Sequence, residues 1–322
     1  MRPIKKLIRP DSSSLKNLLF FSLIFTLFIF LFVENDVQQS HRLIRDIWNA
    51  GHLVLFGLLS FGYLHQSRGA SLSLKHQIII ITIFCLLIGA AIEFIQLLFK
   101  REFSYNDIVN DVIGGYLGLS FFIIAEKTKK IQLRYFATLL FIALTLLGLR
   151  NFEKHLLDEY RMRNSFPVIA DFENELELTR WKFKKVNVSY STHHVVSGKH
   201  SLEARLLPSR YPTASLEHLI NDWRSFQFLS LSVYNPQSST FDFTISIYDD
   251  EHNKSGRRYN DRFNKVIKLQ TGWNNIRLSI NDIRQAPKHR AMKLNQISGI
   301  YMFAHRLKQP RTIYIDAIQL VK

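Results

Sequence analysis

The chain reads as two domains of different class: an α-helical transmembrane bundle of about five spans, followed by an all-β sandwich. Three observations predict this. Of the 322 residues 47% are hydrophobic, yet the mean hydropathy is only -0.01, because long apolar runs stop at Arg150 and short alternating segments follow. Five of the runs approach the roughly 17 to 25 residues that a helix needs to cross a bilayer. The later segments are rich in Thr, Ser, Tyr, Phe and Val and are broken by Asn, Asp, Gly and Pro, the punctuation of short strands.

The expected spans are Leu15–Val33, Ala50–Leu64, Gln77–Phe99, Ile108–Ala125 and Leu133–Leu149. The first follows MRPIKKLIRP and leads into ENDVQQS, which has no small-residue cleavage site, so it reads as an uncleaved anchor. The second is the shortest and carries His52; four strongly apolar neighbours place it in the membrane. Arg2, Lys5, Lys6, Arg9 and Lys16 precede the first span. Arg68 and Lys75 join the second to the third, and Lys127, Lys129, Lys130 and Arg134 join the fourth to the fifth. The opposite connectors hold only Arg42, Arg45, Lys100 and Arg101. This asymmetry predicts a cytoplasmic N-terminus and, after five crossings of the cell membrane, an extracytoplasmic C-terminal domain.

The formal net charge of +16 is spread along the chain. Its densest later group, Arg257, Arg258, Arg262 and Lys265, reads as a solvated basic surface, and no nucleic-acid module or partner is indicated. The single cysteine, Cys85, lies within the third span and reads as a small apolar residue.

The stretch EFIQLLFKREFSYNDIVNDVIGGYLG carries the chemistry. An ionised group near the bilayer centre costs about 2.5 to 3.5 kcal/mol on insertion scales, so acids kept there face one another or a polar cavity. Glu93 and Gln96 are three residues apart, whereas Asp107, Asn110, Asp111, Gly114 and Gly118 fall on one face of the next helix. With His52 opening the second span, polar residues from three helices can meet just under the outer interface. Gly114 and Gly118 form a G-x-x-x-G packing pair, expected to bring that face against the third span. Ser104 and Asp107 have capping spacing, so either could serve the helix terminus instead of a site. Arg101 suits an interfacial anchor or a phosphate partner.

GHLVLFGLL, then E-x-x-Q, R-E-F-S-x-x-D and N-D-x-x-G-G-x-x-G, resembles the VanZ-like family of small bacterial membrane proteins over roughly Arg42 to Ala125. By that resemblance His52, Glu93, Gln96, Arg101, Ser104, Asp107, Asn110 and Gly114 stand at characteristic positions, and Asp111 completes the polar site. Trp48 and Asn49 stand near where family members often carry an acidic-basic pair. The resemblance implies a link to low-level resistance to the glycopeptide teicoplanin and supplies no reaction.

Residues 151–167, polar and mixed in charge, read as a short helical linker, and 168–322 as the extracytoplasmic sandwich. The order IADFEN, VSGKHSLEARL, DWRSFQFLSLSVYN, TGWNNIRLSI and RTIYIDAIQLV resembles galactose-binding-like jelly rolls, including non-catalytic carbohydrate-binding modules. That resemblance implies a structural calcium at Glu173 and Asp316, although calcium needs about six to eight oxygens. Trp181, Trp223 and Trp273 are expected in the core or at buried edges; Tyr211, Tyr259 and the loop His252–Asp261 are expected to be exposed.

The function expected from these features is binding without catalysis. The partners would be membrane lipids or an amphiphilic head group at the outer leaflet, together with a lipid-linked or cell-envelope glycan. The alternatives are an enzyme acting on a lipid-linked glycan, with Glu93 or Asp111 as acid or base, and, third, a transporter.

Overall fold

The computed structural model describes residues 22–29, 42–65, 71–98, 103–126 and 129–322. The chain divides into two compact units, Met1–Glu153 and Lys154–Lys322.

In the first unit, α1 (Arg42–His65), α2 (Leu74–Leu98), α3 (Tyr105–Ala125) and α4 (Ile131–Ser165) are each long and apolar enough to cross a membrane. Residues 22–29, inside the expected first span, are helical, while the rest of that span lies outside the described residues. The α2 stripe Ile81, Cys85, Gly89, Ile92 and Gln96 is buried at helical spacing, whereas Phe94, Leu98, Leu139 and Leu146 point outward. A helix set that buries one stripe and exposes apolar side chains elsewhere suits a lipid surround.

Two expectations change here. Helix α1 starts at Arg42 rather than Ala50, because Arg42 and Asp46 are buried one turn apart and so extend the packed face beyond the apolar run. The glycine pair of α3 packs on α1, not on the third expected span. A Cβ at Gly114 would press on the Leu53 carbonyl, and one at Gly118 would run into the Gly57 carbonyl. Gly57 supplies the matching small residue on α1, so backbone meets backbone there, whereas α2 offers the bulkier Ile81 and Cys85 to Gly115.

Helix α4 runs 35 residues without a break, so the last expected span and the helical linker are one element. Its final turns belong to the second unit. There Asp158, fully buried, receives two-pronged bonds from Arg180, Nε at 2.9 and 3.0 Å and Nη2 at 2.7 Å, while Arg180 Nη1 donates to the Ile169 carbonyl.

The second unit is an antiparallel sandwich. Strands β1 (Val168–Ala170), β3 (Val186–Ser191), β4 (Ser201–Leu206), β6 (Phe228–Asn235), β9 (Gly272–Ser279) and β11 (Arg311–Val321) form one sheet in the order β3-β4-β11-β6-β9, with β1 also paired to β11. Strands β2 (Trp181–Lys184), β5 (Thr213–Leu216), β7 (Phe241–Asp249), β8 (Phe263–Leu269) and β10 (Ile297–Ala304) form the other, in the order β2-β5-β10-β7-β8. Alternation fills the space between them with Leu202, Leu229, Val233, Ile245, Ile300, Ile313 and their neighbours. Trp181 and Trp223 are in this core, as expected.

Candidate functional site

In the helical unit, capping geometry explains part of the polar cluster. Ser104 has extended backbone ahead of α3, and its Oγ accepts the Asp107 N–H at 3.3 Å. The Ser104 N–H, which a capping box would satisfy from its own helix, is instead taken by Glu93 Oε2 of α2 at 2.7 Å. The start of α3 is therefore pinned to α2.

His52 of α1 meets Asp111 of α3 through Nδ1 and Oδ1 at 2.7 Å, both side chains fully enclosed. Removing one partner of such a pair costs about 3–5 kcal/mol, because the other is left buried and uncompensated. Asp111 fits only because Gly89 of α2 has no side chain; a Cβ there would run into Asp111 Oδ2. Gln96 is buried on the same face of α2 as Glu93. One atom each from His52, Glu93 and Asp107 lie within 4.8 Å of one another. Arg101 lies outside the described residues.

Beside this cluster is a cavity of about 470 Å³, lined by Asp46, Asn49, Ser104, Asn106, Asn110 and Arg150 among others. Asn110 therefore belongs to the cavity wall. Asp46 was missed from sequence because it precedes the apolar run; the signal available was its position one helical turn after Arg42 and six residues before His52.

In the sandwich, the outer face of the five-stranded sheet is rich in rings. Cross-strand register aligns Lys182, Ser215, Tyr301, Ser246 and Asn264 in one row, and Thr213, Phe303 and Thr244 in the next. Tyr248 stacks on Tyr301 at 4.5 Å, and Tyr211 packs on Phe303 and His305. Arg262 lies 5.6 Å over both Tyr259 and Tyr301, so it is a partner of rings and not the solvated surface charge expected. Tyr211 and Tyr259 are exposed. A second cavity, of about 440 Å³, is lined by Tyr259, Asn260, Arg262, Asn264, Ala286 and Lys288.

Arg290 fixes the loop that carries Tyr259. It binds buried Asp249 through Nη1 and Nη2 at 2.6 and 2.7 Å, and Asp261 through Nε at 2.6 Å. The Arg290 guanidinium holds the Asp261 carboxyl down at about 2.

Trp273 corrects the core expectation: it is 37% exposed on edge strand β9 of the other sheet, in cross-strand register with Tyr234 and, beyond it, Tyr314.

Glu173 and Asp316 both clasp the 193–200 segment. Glu173 Oε1 accepts the Lys199 and His200 N–H groups, each at 2.7 Å. Asp316 Oδ2 accepts those of Val196 and Ser197, and its Oδ1 that of Ala317. Burial raises the Asp316 carboxyl in spite of these donors, whereas at Glu173 the two N–H bonds overcome burial and hold it low.

Residues 4–126 match the VanZ/LLP1 family model, so the N-terminal region carries a VanZ-like domain. No curated protein matches the chain. Among solved structures, the chain is similar to a family 11 carbohydrate-binding module from Clostridium thermocellum in complex with a β-1,3-1,4-mixed-linked tetrasaccharide. The identity is 15%, with 48% of this chain and 94% of that one covered, and the TM-score is 0.39. It is also similar to an exo-β-agarase at 14% identity, covering 48% of this chain and 24% of that one at TM-score 0.38. A family 30 carbohydrate-binding module of a Clostridium thermocellum cellulosomal cellulase shares 11% identity over 44% of this chain and 91% of that one, at TM-score 0.35.

Proposed function

We propose that this is a non-catalytic membrane protein that binds an envelope glycan through the antiparallel sandwich following its VanZ-like helical domain. The ring-lined outer face of the five-stranded sheet is the observation that carries the reading. Tyr211, Tyr301 and Phe303 offer apolar faces on which sugar rings can lie. Asn264 and Arg262, which line the adjoining cavity, offer amide and guanidinium groups beside them, the mixture of flat apolar area and placed donors that a polyhydroxylated ligand needs.

In the same proposal the helical domain receives the head group of a lipid or other amphiphile. Its support is the polar cavity lined by Asp46, Asn49 and Asn110 inside an apolar bundle. The charge asymmetry of the connectors supports an extracytoplasmic sandwich, on the glycan-bearing side. Glycopeptide resistance and a calcium ion using Glu173 and Asp316 with further carbonyls belong to this proposal as well; susceptibility of a strain lacking the gene tests the former.

The decisive experiment uses the full chain in detergent against an array of envelope glycans. Binding of at least one glycan, weakened about tenfold or more by Tyr211→Ala with Tyr301→Ala, is expected. Absence of binding to any glycan, with or without calcium, sinks the reading.

A further inference from the structure

We infer that His52, Glu93 and Asp107 form a site for one divalent transition ion, zinc being the ion that the donor set fits best. The inference goes beyond glycan and head-group binding and depends on neither.

Three independent features converge on it. The first is the donor set. Among the described residues, an imidazole nitrogen and two carboxylate oxygens from three different helices come within 4.8 Å of one another, all on buried side chains. Tetrahedral zinc, with bonds to nitrogen and oxygen of about 2.0–2.2 Å, sets its ligand atoms about 3.3–3.6 Å apart. The donors would close by up to about 1.5 Å on binding, through side-chain rotation at Glu93 and Asp107. Mixed imidazole and carboxylate donors suit zinc and its first-row neighbours and do not suit calcium, which takes oxygen alone.

The second is the state of His52. Its ring is 1% exposed, its Nδ1 is held by Asp111, and its Nε2 has no hydrogen-bond partner. A buried ring nitrogen left without a partner costs free energy unless something binds it. A carboxylate on the other ring nitrogen is the arrangement that fixes a metal-binding histidine in the required tautomer and orientation. On this reading Asp111 is a positioning residue and not a ligand. That role accounts for the glycine opposite it, since Gly89 leaves the room in which Asp111 reaches His52.

The third is access. The acidic side chains of Glu93, Asp107 and Asp111 and the His52 ring are buried together in the helical unit. Three protein ligands leave a coordination position open. Ser104, which holds Glu93 through its N–H, also lines the neighbouring cavity, so a wall of the cavity is a wall of the site.

The test uses the full, untagged chain in detergent, stripped with a chelator and titrated with CoCl2. One equivalent of cobalt should bind with visible ligand-field absorption and be displaced by ZnCl2. Glu93→Gln and Asp107→Asn should each weaken binding by at least about a hundredfold, and Asp111→Asn, which spares the ligands, by about 10- to 100-fold. X-ray absorption of the zinc-loaded chain should report a single imidazole among oxygen ligands, a readout that holds even where a variant fails to fold. Lack of cobalt absorption in the unmodified chain overturns the inference, as does affinity unchanged in folded Glu93→Gln and Asp107→Asn. Two or more imidazoles on the zinc overturn it too, because they would assign the ion to other histidines.

Discussion

At the scale of single residues, buried charges set the most demanding requirements in the sandwich. Asp249 is fully enclosed and depends on Arg290, which also ties down Asp261. Arg290→Met should therefore destabilise the sandwich by about 3–5 kcal/mol, since it strands Asp249 in the interior. Tryptophan-monitored denaturation measures this, and a loss below about 1 kcal/mol would contradict the assignment. Glu177 behaves in the opposite sense. Burial first, then the neighbouring Asp171, pushes its carboxyl up to about 8. Because the folded value lies above the unfolded one, the contribution is complete below about pH 4.5 and is lost as pH rises toward 8. Glu177→Gln should flatten that part of the stability profile and leave the variant more stable than the natural chain at pH 8, by on the order of a few kcal/mol. Parallel pH profiles of unfolding midpoint for the two proteins check it. The loss that Asp261 contributes on acidification, below its ordinary range toward about 2, should persist in both.

At the scale of elements, periodicity made much of the molecule legible. Acids in apolar runs are costly enough to stand out, and helical spacing alone gathers Asp107, Asn110 and Asp111 on one face. The strands were readable from alternation because one face of each is buried. Partner choice was not readable. The glycine pair announces a close neighbour, but only the matching Gly57 decides that the neighbour is α1. Arg42 and Asp46 looked like connector, since burial of a charged helical turn leaves no apolar signature. ELELTR, at Glu175–Arg180, is a 3₁₀ segment that buries Glu177 and Arg180, and a charged segment of this kind carries no apolar pattern to announce its burial. The helix contact itself is testable. Gly118→Ala drives a Cβ into the Gly57 carbonyl, which cannot move without its helix, and should cost about 1–3 kcal/mol by overpacking. Gly148→Ala meets only the end of the Leu53 side chain, which can rotate away, and should cost less. Thermal denaturation of the two variants in detergent ranks them, and the reverse order would reject α1 as the close neighbour of α3.

At the scale of the whole molecule, the boundary between the units falls inside a continuous helix and not in a linker. Divided at Val168, where the strands begin, a fragment would lack the last turns of α4 and with them Asp158. Arg180 would then remain buried against the Ile169 carbonyl with its carboxylate gone. Divided at Lys154, the fragment keeps the pair, the sandwich core and the ring-lined face together. An unpaired buried guanidinium costs about 3–5 kcal/mol, and for a domain of this size each kcal/mol moves the melting midpoint by about 2–4 °C. The fragment 168–322 should therefore melt roughly 10 °C below 154–322, and Asp158→Ala in the longer fragment should reproduce most of that difference. Glycan affinity below the melting range should be the same in both, because no residue of the ring-lined face belongs to α4. Equal melting midpoints would mean that the last turns of α4 are not part of the sandwich; a lower midpoint that Asp158→Ala failed to reproduce would assign the stabilisation to apolar contacts such as buried Met162 instead of the ion pair.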